Sequence, residues 1–261
     1  MTIGMTKGER ITFQEHRTAR QEVQRAKILS QQHVHPDPIL EQHGEGDVRM
    51  GVTIVMRPPR EMRRWIIEVQ GLIKEALGET RDALWYAPED LLHMTVLEWL
   101  VAAPDQQYTV ETIVGHLSKP EALNFLTELP SDPPIRLDKA TLSYDESALA
   151  LSFLPLNSSP EAASYPVYRR SLRNYAEELV RETGVMAPKG RYDYPSAHIT
   201  IARFKQAVPS EQIDALVHGI DTVATRLQVA QTDASWTFDG PLHIMSGRIW
   251  YGGGERLRPS L

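Results

Sequence analysis

The residues best suited to chemistry are two histidines, His93 and His198, each followed two positions later by a threonine, Thr95 and Thr200. In a β-strand successive side chains point to opposite faces. Each histidine therefore shares a face with its threonine, while Leu92, Met94 and Val96, and likewise Ala197, Ile199 and Ile201, turn the other way into a core. An imidazole exchanges protons near neutral pH, and a hydroxyl can hydrogen-bond a phosphoryl oxygen. Two such strands on opposite sides of one phosphate would let one histidine remove a proton and the other deliver one, which is general acid-base chemistry without a metal. The chain has nine histidines, so a single His-x-Thr is an ordinary structural pair. The weight rests on its repetition.

The surrounding pattern supplies elements to hold these strands. A strand over 52–56 is followed by a helix opened at Pro58 and Pro59 and carrying Trp65, Ile66, Val69, Leu72, Ile73 and Leu77 at helical spacing, with Gly78 as its stop. A short strand over 83–86 precedes the His93 strand, which runs to about Trp99; Trp99 reads as a core residue or a wall of the pocket. Helices follow around Val110 to Leu117 and, after Pro120, around Phe125 to Leu129. The segment 130–134, rich in proline and aspartate, is the best internal boundary. A hairpin over 135–144 and 148–154, a helix from Tyr165 to about Gly184, the His198 strand and a helix beginning at Ser210 complete the second half. Residues 236–238, 242–244 and 249–251 read as further strands, and 252–261 as a frayed tail. In each half an amphipathic helix, a spacer, a His-x-Thr strand and another helix follow in that order. Two lobes related by a pseudo-twofold axis would bring the histidine faces together across a cleft, where ligand sites usually lie.

Composition limits the function classes. The chain of 261 residues is 41% apolar and 24% charged, with a formal net charge of -6 and a pI near 5.9. That balance argues against an extended nucleic-acid surface, which needs many Lys and Arg to neutralise phosphates, but leaves room for a locally basic pocket. With no cysteine, disulfides, thiolate catalysis and cysteine-ligated zinc are excluded. No apolar run approaches the ~20 residues of a membrane span, and the expected setting is a soluble, cytoplasmic one. Residues 1–48 differ in composition and read as an N-terminal extension, with a solvated helix over 11–30 and a loop over 31–47; the domain proper is 49–261, with lobes at about 49–130 and 131–251. His33 and His35 resemble a metal site superficially, yet no second ligand cluster of similar quality accompanies them. No cofactor is expected.

Taken together, His93-Met94-Thr95-Val96 and His198-Ile199-Thr200-Ile201 resemble the 2H phosphoesterase superfamily over roughly 50–251, and the second motif with Ala202-Arg203-Phe204 is similar to the RNA 2′,3′-cyclic phosphodiesterases once called 2′-5′ RNA ligases. The resemblance implies an α+β, bilobal fold with antiparallel sheets lining a central cleft and helices outside. It also implies that His93 and His198 are the catalytic pair, that Thr95 and Thr200 hold phosphate oxygens, and that the substrate is a small phosphoester, a nucleotide or an RNA end. Arg203 is associated with substrate in the similar branch, although five residues after His198 it has the wrong parity for the catalytic face of a regular strand. Tyr192 and Tyr194, beside Lys189 and Arg191, offer rings on which a base could stack. The alternative is a nucleotide-binding or scaffolding module of the same fold without useful turnover.

Overall fold

Two strands with apolar residues on one face and a histidine and threonine on the other sit side by side at the middle of the protein. In a computed structural model, which describes residues 7–41, 47–102, 107–127, 135–156, 165–183, 197–229, 234–238 and 241–257, these are β3 (Met94–Ala102), which begins one residue after His93 rather than including it, and β6 (Ala197–Phe204). Around them lie β1 (Met50–Met56), β2 (Leu84–Tyr86), β4 (Ile135–Tyr144), β5 (Ala148–Leu156), β7 (Trp236–Phe238), β8 (Leu242–Gly247) and β9 (Glu255–Arg256). The described strands form one sheet of nine in the order β7-β4-β5-β6-β3-β1-β8-β9, with β2 also paired to β6. The expectation was separate sheets in two lobes. Here the halves β7-β4-β5-β6 and β3-β1-β8-β9 are joined through a single antiparallel pair, Met94 with Ile199. Beyond it β6 continues onto β2, whose Leu84, Trp85 and Tyr86 pair Phe204, Arg203 and Ala202. The two motif strands touch at one point and then part.

The apolar face is closed by helices. In α3 (Arg60–Leu77) the buried stripe is Met62, Ile66, Val69, Ile73 and Leu77, and in α7 (Ser210–Val229) it is Ile213, Leu216, Val217, Ile220, Val223 and Leu227. The two helices pack together. Gly219 allows the approach, because a Cβ there would lie 2.9 Å from the Ala76 carbonyl oxygen. Met94, Val96, Ile199 and Ile201 are all fully buried, as their position on the inner face requires. Trp99 is buried in the core as well. The helices α4 (Gln107–Leu117), α5 (Pro120–Thr127) and α6 (Tyr165–Thr183) match the expected periodic segments, giving an α+β fold.

Both motif strands carry a β-bulge at the same offset from the histidine. Between β1 and β3 the register slips as Ile54 pairs Leu97 and Val55 pairs Thr95, leaving Val96 as the extra residue. Between β5 and β6 it slips as Leu149 pairs Ala202 and Ala150 pairs Thr200, leaving Ile201 extra. An extra residue reverses the alternation of everything beyond it. The carbonyls at the two bulges are satisfied by buried side chains: the Thr53 hydroxyl donates to Leu97 at 3.1 Å, and the Gln70 amide donates to Ile201 at 2.9 Å. The Ala87 backbone N–H adds a second bond to Ile201 at 3.0 Å. Unpaired carbonyls there would be costly, so Thr53 and Gln70 help keep the bulges in place.

Three expectations at the ends of the chain are corrected. Residues 249–251 do not form a strand; Trp250–Gly252 is a short 3-10 turn in which Tyr251 has φ 59°. The tail is not frayed throughout, since Gly252 is buried and β9 pairs Met245 and Ser246 of β8. The N-terminal segment is not merely solvated. Its helix α1 (Lys7–Gln31) lies on the β4–β5 hairpin, with Gln21 accepting the Tyr144 N–H at 3.0 Å, Lys27 paired with Glu146 and Arg25 with Asp221. The stretch after it includes the four-residue helix α2 (Pro38–Glu41). It is tied down where His35 N–H donates to Glu146 and Asp37 N–H to Phe204.

Candidate active site

The single contact between β3 and β6 fixes where the motifs lie. In an antiparallel pair centred on Met94 and Ile199, position 93 lies across from 200 and position 95 across from 198. Each histidine is therefore set beside the other strand's threonine, and all four side chains share the face opposite the buried Met94 and Ile199. The bulges bring a third residue from each strand to this face, five positions after the histidine. In β6 it is Arg203, partly exposed between buried Ala202 and Phe204; in β3 it is Glu98, partly exposed between buried Leu97 and Trp99. The parity objection to Arg203 is thus removed by the extra residue at Ile201.

His93 is held from behind. Its Nδ1 lies 2.9 Å from the Leu91 carbonyl oxygen. A carbonyl only accepts, so Nδ1 carries the hydrogen and the neutral ring keeps its Nε2 lone pair for a proton. Arg57 braces the same loop, donating to the carbonyls of Asp90, Leu92 and Gly252. Burial pushes the His93 pKa below its usual value, and the positive charges of Arg57 and Arg203 push in the same direction, against the bond to Leu91. The residue best placed to be neutral is therefore His93.

His198 and Thr200 line a cavity of about 260 Å³ together with Ser152, Arg203, Trp250 and Arg17 of α1. Arg203 also lies 5.9 Å from the centre of the Tyr251 ring, and Trp85 packs on that ring at 5.4 Å. Tyr192 and Tyr194 lie outside the described residues. His33 and His35 stack edge to face, and His35 Nδ1 is 3.1 Å from Glu146. Among the described residues no three His, Asp or Glu side chains gather as ligands for one ion, and no helix is long and apolar enough to cross a membrane.

Several residues of this face were not picked out from the sequence. Arg57 and Gly252 had no motif to mark them. His243 belongs to the same face as Thr95, because Val55 pairs both. Its Nδ1 is buried without a hydrogen-bond partner among the described residues, and burial followed by Arg256 and Arg57 pushes its pKa down. The sequence signal was missing because Met245, not a hydroxyl, stands two places on.

These two histidines make the fold acid-labile in a defined direction. Both bind protons less readily folded than unfolded, so below the unfolded value of ~6.5 the unfolded chain holds more protons. The stability they contribute when neutral is full above about 6.5 and is lost as the pH falls toward their lowered folded values. Thermal midpoints should drop between about pH 7 and 5, and His243→Leu should flatten the drop. A midpoint independent of pH over that range would contradict the assignment.

No protein-family model matches the chain, and no curated protein does. Among solved structures, a conserved protein of unknown function from Agrobacterium tumefaciens is similar with a TM-score of 0.51 and 12% identity, over 86% of this chain and 94% of that one. The likeness shows a common fold alone. A Thermus thermophilus protein aligns with a TM-score of 0.43 and 15% identity over 81% of this chain and 100% of that one. Usb1 from Kluyveromyces marxianus aligns with a TM-score of 0.42 and 15% identity over 80% of this chain and 97% of that one.

Proposed function

We propose that the protein is a metal-independent phosphodiesterase of the 2H phosphoesterase kind, opening a cyclic phosphate or related phosphoester of a nucleotide or RNA end. The observation that carries this is the Met94–Ile199 register, which sets two His-Thr pairs on one face with His93 locked in the tautomer of a base. His93 Nε2 takes a proton from water as its oxygen attacks phosphorus. The bond from phosphorus to one ribose oxygen breaks, and protonated His198 delivers a proton to that oxygen, leaving a phosphomonoester. Thr95 and Thr200 donate to the non-bridging oxygens as charge builds there, and Arg203 adds a cation at the rim. The functional unit is residues 49–261, and a cytoplasmic setting belongs to the same proposal.

Incubation with nucleoside 2′,3′-cyclic phosphates in the presence of a chelator tests this, with a single phosphomonoester as the expected product. Tight nucleotide binding with no hydrolysis of any cyclic phosphate would instead make the protein a binding module. Thr95→Ala and Thr200→Ala each remove a hydrogen bond to a charged group, worth about 1.5–3 kcal/mol, and should cost one to two powers of ten in kcat/KM. A threonine variant more damaged than either histidine variant would break the division of roles.

A further inference from the structure

The helix preceding the domain places an arginine where the proposed site has no need of one for its reacting phosphate. Arg17 of α1 donates through Nη1 to the carbonyls of Lys139 at 3.0 Å and Ser152 at 3.2 Å. Both acceptors are neutral, and among the described residues no charged group offsets the burial of Arg17. Burial without a counter-ion lowers its pKa to about 10, so it remains a cation at neutral pH. A half-buried guanidinium fixed on one side by neutral oxygens is a ready receptor for a planar pair of anionic oxygens.

Its location says which anion. Ser152 is the register partner of His198, so the carbonyl gripped by Arg17 belongs to the residue one strand away, about 5 Å, from the His198 backbone. Arg17 and His198 line the same cavity. Arg20 and Arg203 line it too, whereas its carboxylate, Asp145, is occupied by the turn, accepting the Ser147 and Ala148 N–H groups at 2.9 Å each. In a protein of net charge -6 this wall is locally cationic.

We propose that Arg17 binds a second phosphate of the substrate, adjacent to the one that reacts, so that the preferred substrate is a nucleotide ester bearing two phosphate groups. This rests on the proposed phosphodiesterase site and names its substrate class. The N-terminal helix is then a specificity element carried to the site from outside the 49–261 unit.

Adenosine 2′,3′-cyclic phosphate and its 5′-phosphorylated counterpart form a matched pair for the test. In the full chain, kcat/KM should favour the doubly phosphorylated ester by about tenfold or more, as one charge-assisted contact allows. Arg17→Met should bring the ratio close to one, and Arg17→Lys, which keeps the charge, should recover part of it. A wild-type ratio near one, or a ratio that Arg17→Met leaves unchanged, overturns the proposal, and the wild-type ratio decides even if Arg17→Met does not fold. Calorimetric affinities for adenosine 3′-phosphate and adenosine 3′,5′-bisphosphate separate this proposal from the catalytic one. If no cyclic phosphate is hydrolysed but the bisphosphate binds about tenfold tighter and Arg17→Met removes the difference, the anion site stands and the catalytic reading falls. Equal affinities overturn the anion site.

Discussion

His93→Ala and His198→Ala should each lower the turnover of a cyclic phosphate by about 10² to 10⁴, the usual contribution of a positioned proton transfer. The magnitude follows from the division of labour on the shared face. His93 presents a bare Nε2 because Leu91 holds its Nδ1–H. His198 stands beside Thr95 in the register set by Met94 and Ile199. Because base and acid serve one transition state, the double variant should be little worse than either single one. Steady-state kcat for the three variants checks this. Full turnover in either single variant, or losses that multiply in the double, would count against a concerted pair.

Gly252→Ala should be nearly as damaging, although the residue touches no substrate. Gly252 has φ +87°, and a Cβ there would stand 2.1 Å from the Leu91 carbonyl oxygen and 3.0 Å from His93 Nδ1. The clash falls on backbone, so a side-chain rotation cannot relieve it, and the atom displaced is the acceptor that orients the base. Gly252 also offers its carbonyl to Arg57 at 3.0 Å. A misplaced reacting group costs on the order of 10² in rate, and the forced backbone conformation should cost about 1–3 kcal/mol of stability. Gly71→Ala in α3 is the contrast: nothing lies within 4 Å of the added Cβ, and the change should be neutral or stabilising by about 0.5–1 kcal/mol. Wild-type kcat in Gly252→Ala would show that the turn at 250–252 does not position His93.

How much of this was legible in the sequence depends on how local its cause is. The His-x-Thr alternation is a period-two pattern, and Met94, Val96, Ile199 and Ile201 are buried as that pattern requires. Arg203 could not be placed by alternation, because its face depends on one extra residue at Ile201. A trace of the bulge was present: the adjacent apolar pairs Val96-Leu97 and Ile201-Ala202 interrupt the alternation at the same offset in both motifs. The Gln70 bond that satisfies Ile201 spans 131 positions, and nothing local announces it. Gly252 and its neighbours read as a tail because three consecutive glycines carry no periodicity; the conformation of Gly252 matters against Leu91, far away in the chain. The helix of the extension and its packing on one lobe or over the cleft were foreseen, but not the strands that seat it. It lies against a polar stretch of sheet that includes Ser143 and Ser152, and among its described residues Ile28 alone is buried in the core, so no apolar stripe marks the face it covers.

The pH dependence of kcat/KM, measured with chelator for the wild type, His93→Ala and His198→Ala, bears most directly on the two-histidine mechanism. The wild type should give a bell whose acid limb lies below ~6.5, since burial and the charges of Arg57 and Arg203 lower the His93 pKa. His93→Ala should lose the acid limb and keep the alkaline one, while His198→Ala should do the reverse. Retention of both limbs in either variant, or a wild-type rate abolished by the chelator, would contradict the assignment of His93 as base and His198 as acid.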